Sequence, residues 1–140
     1  MENNLNYVTD NDPTGIPILG KVAAGTPRFS ENVDMGFLTS MPAKDMARNK
    51  NIFALQIVGD SMIEDGIYDG NYIVVKYTTE FVNGDIVIAY VNEEATVKRI
   101  YKRGSKIVLQ PANSELEPIE IDPAFSEFRV GGKVIDVVRN

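Results

Sequence analysis

From residue 52 onward, apolar and polar positions alternate in short runs that predict one strand after another: 52–58, 72–77, 85–91, 95–101, 106–110 and 128–138. The last run is interrupted by Gly131-Gly132. Asp69-Gly70, Asn83-Gly84, Asn92-Glu93 and Arg103-Gly104-Ser105 supply the turns between or before them. Upstream, residues 16–22 predict a further short strand. It runs into Ala23-Ala24-Gly25-Thr26-Pro27, where small side chains and a proline predict an exposed loop. Helical signal is sparse: residues 43–49 follow Pro42 with mild helical character, and residues 60–64 suit the opening of a short helix. No helix is long enough for a βαβ crossover. The spacing therefore predicts an all-β fold, mainly antiparallel, with curled, small-barrel-like sheets and one or two short helices.

Composition narrows the picture. A chain of 140 residues that is 44% hydrophobic and 24% charged suits one domain with a real core. Residues 1–15 are polar, rich in Asn and Asp, and end in Asp12-Pro13-Thr14-Gly15, which reads as a flexible linker or leader ahead of a domain at 16–140. With no Cys there is no disulfide framework or thiolate zinc site, and with no His a transition-metal site has no support, so neither metal nor cofactor is expected. The first residues lack a signal peptide's basic start and apolar core, and no apolar run approaches the roughly 18 residues that span a bilayer. A cytoplasmic protein without membrane contact is expected. The net charge of -6 repels phosphate backbones, which argues against direct nucleic-acid binding by this chain.

The absence of His and Cys also excludes the usual hydrolase bases and thiol nucleophiles. A serine doing chemistry here needs another proton acceptor, and a desolvated lysine can be one. Ser61, in Val58-Gly59-Asp60-Ser61-Met62, follows a predicted strand at a junction where backbone N–H groups are unpaired. Those of Asp60 and Ser61 could receive a developing oxyanion; equally, Ser61 could simply cap a helical turn. Lys98 lies in Thr96-Val97-Lys98-Arg99-Ile100, where period-2 geometry puts Thr96, Lys98 and Ile100 on one face and Arg99 on the other. To act as a base near neutrality its pKa must fall by about 3 units, roughly 4 kcal/mol, and only burial or a nearby cation does that. Its other reading is a lysine that snorkels to water. Glu64, Asp65 and Asp69 do not match the spacing of an EF-hand loop and read as turn residues and a solvated rim. Lys98-Arg99, Lys102-Arg103 and Lys106 form a basic stretch that alternation splits over two faces, reading as a solvated edge.

Taken in order, Val58-Gly59-Asp60-Ser61-Met62, Asp65-Gly66-Ile67-Tyr68-Asp69-Gly70-Asn71, Asn83-Gly84-Asp85-Ile86-Val87, Thr96-Val97-Lys98-Arg99 and Gln110-Pro111-Ala112-Asn113-Ser114 closely resemble the self-cleaving domain of LexA-type repressors and their UmuD-type relatives. The resemblance covers about residues 16–139. It implies a LexA/signal-peptidase-like fold in which Ser61 is the nucleophile and Lys98 its general base, acting as a serine endopeptidase on the chain itself. Val22-Ala23-Ala24-Gly25 matches the family's cleavage site, which puts the scissile bond at Ala24-Gly25. It further implies stimulation by a RecA filament on single-stranded DNA and a homodimer formed through the C-terminal strand. There the apolar Val134, Ile135, Val137 and Val138 suggest an edge open to pairing across a two-fold axis.

Such repressors carry a helix-turn-helix domain that 15 polar residues cannot form. Residues 16–140 are then expected to be the self-cleaving and dimerisation half of a repressor of the SOS DNA-damage response, with the DNA-binding domain absent from this chain. The stretches 18–25 and 134–140 favour that reading. Its alternatives are a UmuD-type protein processed to act with a translesion DNA polymerase and a non-catalytic dimerisation module. A signal-peptidase-like enzyme acting on other proteins shares the Ser/Lys chemistry, but the missing membrane segment weighs against it.

Overall fold

The computed structural model describes residues 7–8, 15–23, 37–38 and 51–139. Ten strands follow in chain order: β1 (Tyr7–Val8), β2 (Ile16–Ala23), β3 (Phe37–Leu38), β4 (Ile52–Val58), β5 (Tyr72–Lys76), β6 (Ile86–Val91), β7 (Glu94–Arg103), β8 (Lys106–Gln110), β9 (Ile119–Ile121) and β10 (Phe128–Val138). One 3₁₀ turn, Ile63–Asp65, is the sole helical element among the described residues. No helix among them is long and apolar enough to cross a membrane. The fold is thus nearly all-β, as the alternating runs predict, and seven strands fall on those runs within a few residues. The predicted helix at 43–49 lies outside the described residues.

Three strands carry no sequence signal of their own. β1 and β3 are two residues each and pair with one another, so β1 lies within the segment that reads as a leader or linker. β9 is three residues flanked by Pro118 and Pro123, and it forms by pairing with β8 at Leu109↔Ile119 and Ile107↔Ile121. Strands this short are selected by their partners rather than by local propensity.

The strand order is β1-β3-β2-β4-β5-β10-β6-β7-β8-β9. All pairs are antiparallel except β2 with β4, a parallel pair running to Ala23↔Val58. Both faces of the central strands are buried: Phe53, Leu55 and Ile57 of β4 enter one apolar cluster, Ile52 and Ala54 another. A sheet buried on both faces with so little helix must cover itself. It does so by curling, and β2 lies against β7 although four strands separate them in the order. Val22, Met62, Ile67, Val75, Ile88 and Val97 meet in the cluster this closure creates.

β10 is where the two halves of the sheet join. Phe128 to Lys133 pairs with β6, Lys133 to Val138 pairs with β5, and the register shifts between Val130 and Gly132 and again between Val134 and Asp136. The Gly131-Gly132 interruption coincides with the first shift, the mark of a β-bulge. β10 is interior in the strand order, yet among the described residues each half is paired on one side only, Phe128 to Gly132 with β6 and the part beyond Lys133 with β5, so the apolar C-terminal stretch keeps the open side expected of an edge. A Cβ on Gly132 would strike the buried Val75 side chain and come within 3.0 Å of the Lys76 carbonyl oxygen. Gly132→Ala is accordingly expected to cost about 1–3 kcal/mol by overpacking. The reading is a lower urea midpoint at unchanged slope; an unchanged midpoint would show slack where these strands touch.

Candidate active site

Ser61 follows the end of β4. Gly59 turns the chain with φ 105°, a conformation that favours glycine, and its N–H donates to Asp69 Oδ1 at 2.9 Å. Met62, fully buried in the first apolar cluster, anchors the other side. Its carbonyl accepts the N–H groups of Asp65 and Ile67, and the short turn closes at Gly66. The chain leaving β8 stitches this turn in place. Ala112 N–H donates to Ser61 O at 2.8 Å, Glu64 N–H donates to Ala112 O at 2.7 Å, and Asn113 Nδ2 donates to Asp60 O at 3.0 Å.

Within this frame Ser61 is fully buried, yet its Oγ has no hydrogen-bond partner among the described residues. Leaving a buried hydroxyl unsatisfied costs about 1–3 kcal/mol, and such groups call for an explanation. Capping is not the explanation: the turn's cap position is Met62, with no side-chain cap bond. The N–H groups of Asp60 and Ser61 likewise donate to no acceptor among the described residues.

Lys98 sits on β7 opposite Val87 of β6, and only 3% of it is exposed. Thr96 and Ile100, predicted on its face, are both fully buried. Lys98 Nζ donates to Thr96 Oγ1 at 2.7 Å, and burial pushes the lysine pKa from 10.5 down to about 8. The snorkelling reading, and with it the solvated-edge reading of this end of the basic stretch, is therefore corrected. Alternation could not show it, because residues on both faces of this part of β7 are buried. Lys102 and Arg103 are exposed as expected.

Arg99, on the opposite face, explains how the two segments are held. Its guanidinium grips Asp65 through two nitrogens, Nε to Oδ2 at 2.9 Å and Nη2 to Oδ1 at 3.0 Å, and donates from the third, Nη1, to the Gly84 carbonyl. Asp65 lies four residues after Ser61 and Arg99 one after Lys98, so this bidentate pair straps the serine's turn to the lysine's strand. The strap brings the neighbourhoods together without a Ser61–Lys98 hydrogen bond, since Ser61 Oγ is unpartnered and Lys98 Nζ bonds Thr96. The carboxylates read as turn and rim residues all have structural work: Asp65 in the strap, Asp69 on Gly59, and Glu64 accepting Ser114 N–H at 2.7 Å. No three His, Cys, Asp or Glu side chains among the described residues are grouped to hold a metal.

Ala23 ends β2 beside Val58, three residues before Ser61. The expected scissile pair, Ala24 and Gly25, lies outside the described residues. Thr96 and Asn113 were not singled out by the residue pattern for the contacts they make. Thr96 was legible as a face-mate of Lys98, whereas Asn113 reaches Asp60 across 53 positions, with no local signal for it.

Residues 17–135 match the Peptidase S24-like family. The chain is 41% identical over 132 residues to the LexA repressor of Myxococcus xanthus, covering 93% of this chain and 60% of that protein. It is 43% identical over 135 residues to the LexA repressor of Acetivibrio thermocellus, covering 96% and 61%, and 43% identical over 141 residues to that of Halalkalibacterium halodurans, covering 99% and 65%. The chain thus spans about three-fifths of the length of these relatives.

Proposed function

Because the chain belongs to the Peptidase S24-like family and is a LexA-type protein over most of its length, we propose that Ser61 and Lys98 form a dyad that cuts the chain's own Ala24-Gly25 bond. One observation carries the reading. A fully buried serine hydroxyl, with no hydrogen-bond partner among the described residues, stands on a turn strapped to the strand of a lysine whose pKa burial lowers to about 8.

The proposed reaction begins when the segment after β2 docks over the site. The neutral Lys98 amine, oriented by Thr96 Oγ1, takes the Ser61 proton as Oγ attacks the Ala24 carbonyl carbon. The oxyanion that forms is received by the backbone N–H groups of Asp60 and Ser61, which donate to no acceptor among the described residues. As the Ala24-Gly25 bond breaks, protonated Lys98 returns its proton to the Gly25 amine, leaving Ala24 esterified to Ser61. Water then hydrolyses the ester and frees residues 1–24. Two features of the fold support this route. The parallel β2–β4 pair ends with Ala23 beside Val58, and the curl of the sheet lays β2 against β7. A substrate joined to its enzyme reacts at high effective concentration, so a modest dyad suffices and docking is the point of control.

In the larger reading, this is the self-cleaving half of an SOS repressor, with an activated RecA filament favouring the docked state. The LexA repressors among its relatives favour this over the polymerase-associated, UmuD-type alternative. A homodimer fits the stretch of β10 beyond Lys133, where Ile135 is 42% exposed on a strand with one unpaired side among the described residues.

Incubation of the purified chain at pH 9 tests the proposal. A new N-terminus at Gly25 is expected, with Gly25→Asp left intact at an unchanged melting temperature because a branched carboxylate blocks the close approach of the loop. Cleavage at another bond, or normal processing of Gly25→Asp, would show that the scissile bond is misassigned.

A further inference from the structure

We propose that Asn113 is a positioning residue for the oxyanion site, aiming the Ser61 N–H through the peptide that joins Asp60 to Ser61. The inference rests on the Ser61/Lys98 reading and deepens it.

The geometry runs through one rigid unit. The carbonyl of Asp60 and the N–H of Ser61 belong to the same trans, planar peptide and point in opposite directions. Asn113 Nδ2 holds that carbonyl at 3.0 Å, so the direction of the Ser61 N–H is set from behind. The next peptide is fixed as well, by Ala112 N–H on Ser61 O at 2.8 Å. With both flanking peptides pinned, the N–H and the Cα–Cβ bond of Ser61 take defined directions together.

Asn113 suits the task by residue type. It is 8% exposed, and its Oδ1 accepts the N–H of Glu115 at 2.9 Å, which leaves the NH₂ end to face Asp60. The position requires a donor on one side and an acceptor on the other within a short side chain. Asparagine supplies both, while aspartate lacks the donor and leucine lacks both. The surrounding loop does not depend on this amide, because Glu64 N–H on Ala112 O and Ser114 N–H on Glu64 Oε2 tie it down independently. An oxyanion donor is effective only when aimed beforehand, and displacing a reacting group by about 1 Å can cost 100-fold.

The test measures first-order self-cleavage of the full chain between pH 6 and 10 for wild type, Asn113→Asp and Asn113→Leu, with melting temperatures alongside. The expected result is a plateau rate lowered about 10- to 100-fold in both variants. The cut should stay at Gly25 and the pH midpoint should not move, since Lys98 is untouched. A folded Asn113→Asp that cleaves at the wild-type rate overturns the role while leaving the dyad standing. A slower rate with a displaced midpoint also overturns it, because the residue would then act through Lys98. Should neither variant fold, Asn113→Ser, whose hydroxyl is smaller, takes their place, and if it too fails to fold the residue is architectural and the inference is wrong. Ser61→Ala on the same footing separates the two ideas: cleavage in that variant, or none in wild type, removes the dyad and this inference with it.

Discussion

Lys98→Arg is expected to abolish self-cleavage at every pH from 6 to 10, whereas the wild-type rate should climb about tenfold per pH unit up to about 8 and then level off. The sign follows from which form of the lysine works. Only the neutral amine can take the Ser61 proton, so the rate tracks the neutral fraction and rises with pH until that fraction saturates. At neutral pH, lowering the pKa from 10.5 to about 8 increases the neutral fraction about 300-fold, from far below one per cent to about a tenth. Arginine fills much the same space but stays protonated throughout, so it offers no base at any pH tested. Rates followed by gel densitometry or intact-mass spectrometry check both statements. A flat profile between pH 6 and 8, or a Lys98→Arg variant that still cleaves, would remove Lys98 as the base.

The same burial makes Lys98 costly to the fold, and Lys98→Met is expected to raise stability by about 2–3 kcal/mol at pH 6. A lysine in the unfolded chain titrates near 10.5, but this one titrates near 8 when folded. Between those values the unfolded chain holds the extra proton, so wild-type stability rises with pH across that window. Below about pH 8 the folded state carries the whole desolvation cost, about 3 kcal/mol, and with Lys98 only 3% exposed little of it is screened away. Methionine occupies similar space without charge and gives up the bond to Thr96 Oγ1, worth about 1 kcal/mol. Its advantage should therefore shrink between pH 8 and 10.5. Denaturant unfolding at pH 6, 8 and 10 measures this, and a Met variant less stable than wild type at pH 6 would mean that Lys98 is not desolvated. Stability surrendered at a buried ionisable group is a familiar exchange for activity.

Much of the fold can be read from short apolar runs set between turn residues. β8 buries alternate side chains, β4 to β7 are such runs buried on both faces, and the Gly131-Gly132 pair marks the shift in β10. What escapes local reading is what other strands decide. β9 exists only as the partner of β8. The parallel β2–β4 pairing and the meeting of β2 with β7 depend on how the sheet curls, and no window of a few residues contains that information.

The site divides the same way. Spacing placed Lys98 beside Thr96 and Ile100, but the choice between a solvated and a buried lysine turned on strands distant in sequence covering both faces of β7. The Arg99–Asp65 strap joins positions 34 apart, and Asn113 joins Asp60 across 53. Pairing Ser61 with Lys98 came from resemblance, since neither residue is unusual in its own segment.

The Ser61 hydroxyl is expected to cut the chain that carries it. Intact-mass spectrometry of wild type and Ser61→Ala, incubated side by side at pH 9 over a range of protein concentrations, addresses it directly. Wild type should split after Ala24 with a first-order rate that does not change with concentration, while Ser61→Ala stays whole. Fragments appearing in Ser61→Ala at the wild-type rate would contradict the claim, as would a wild-type rate that grows in proportion to concentration.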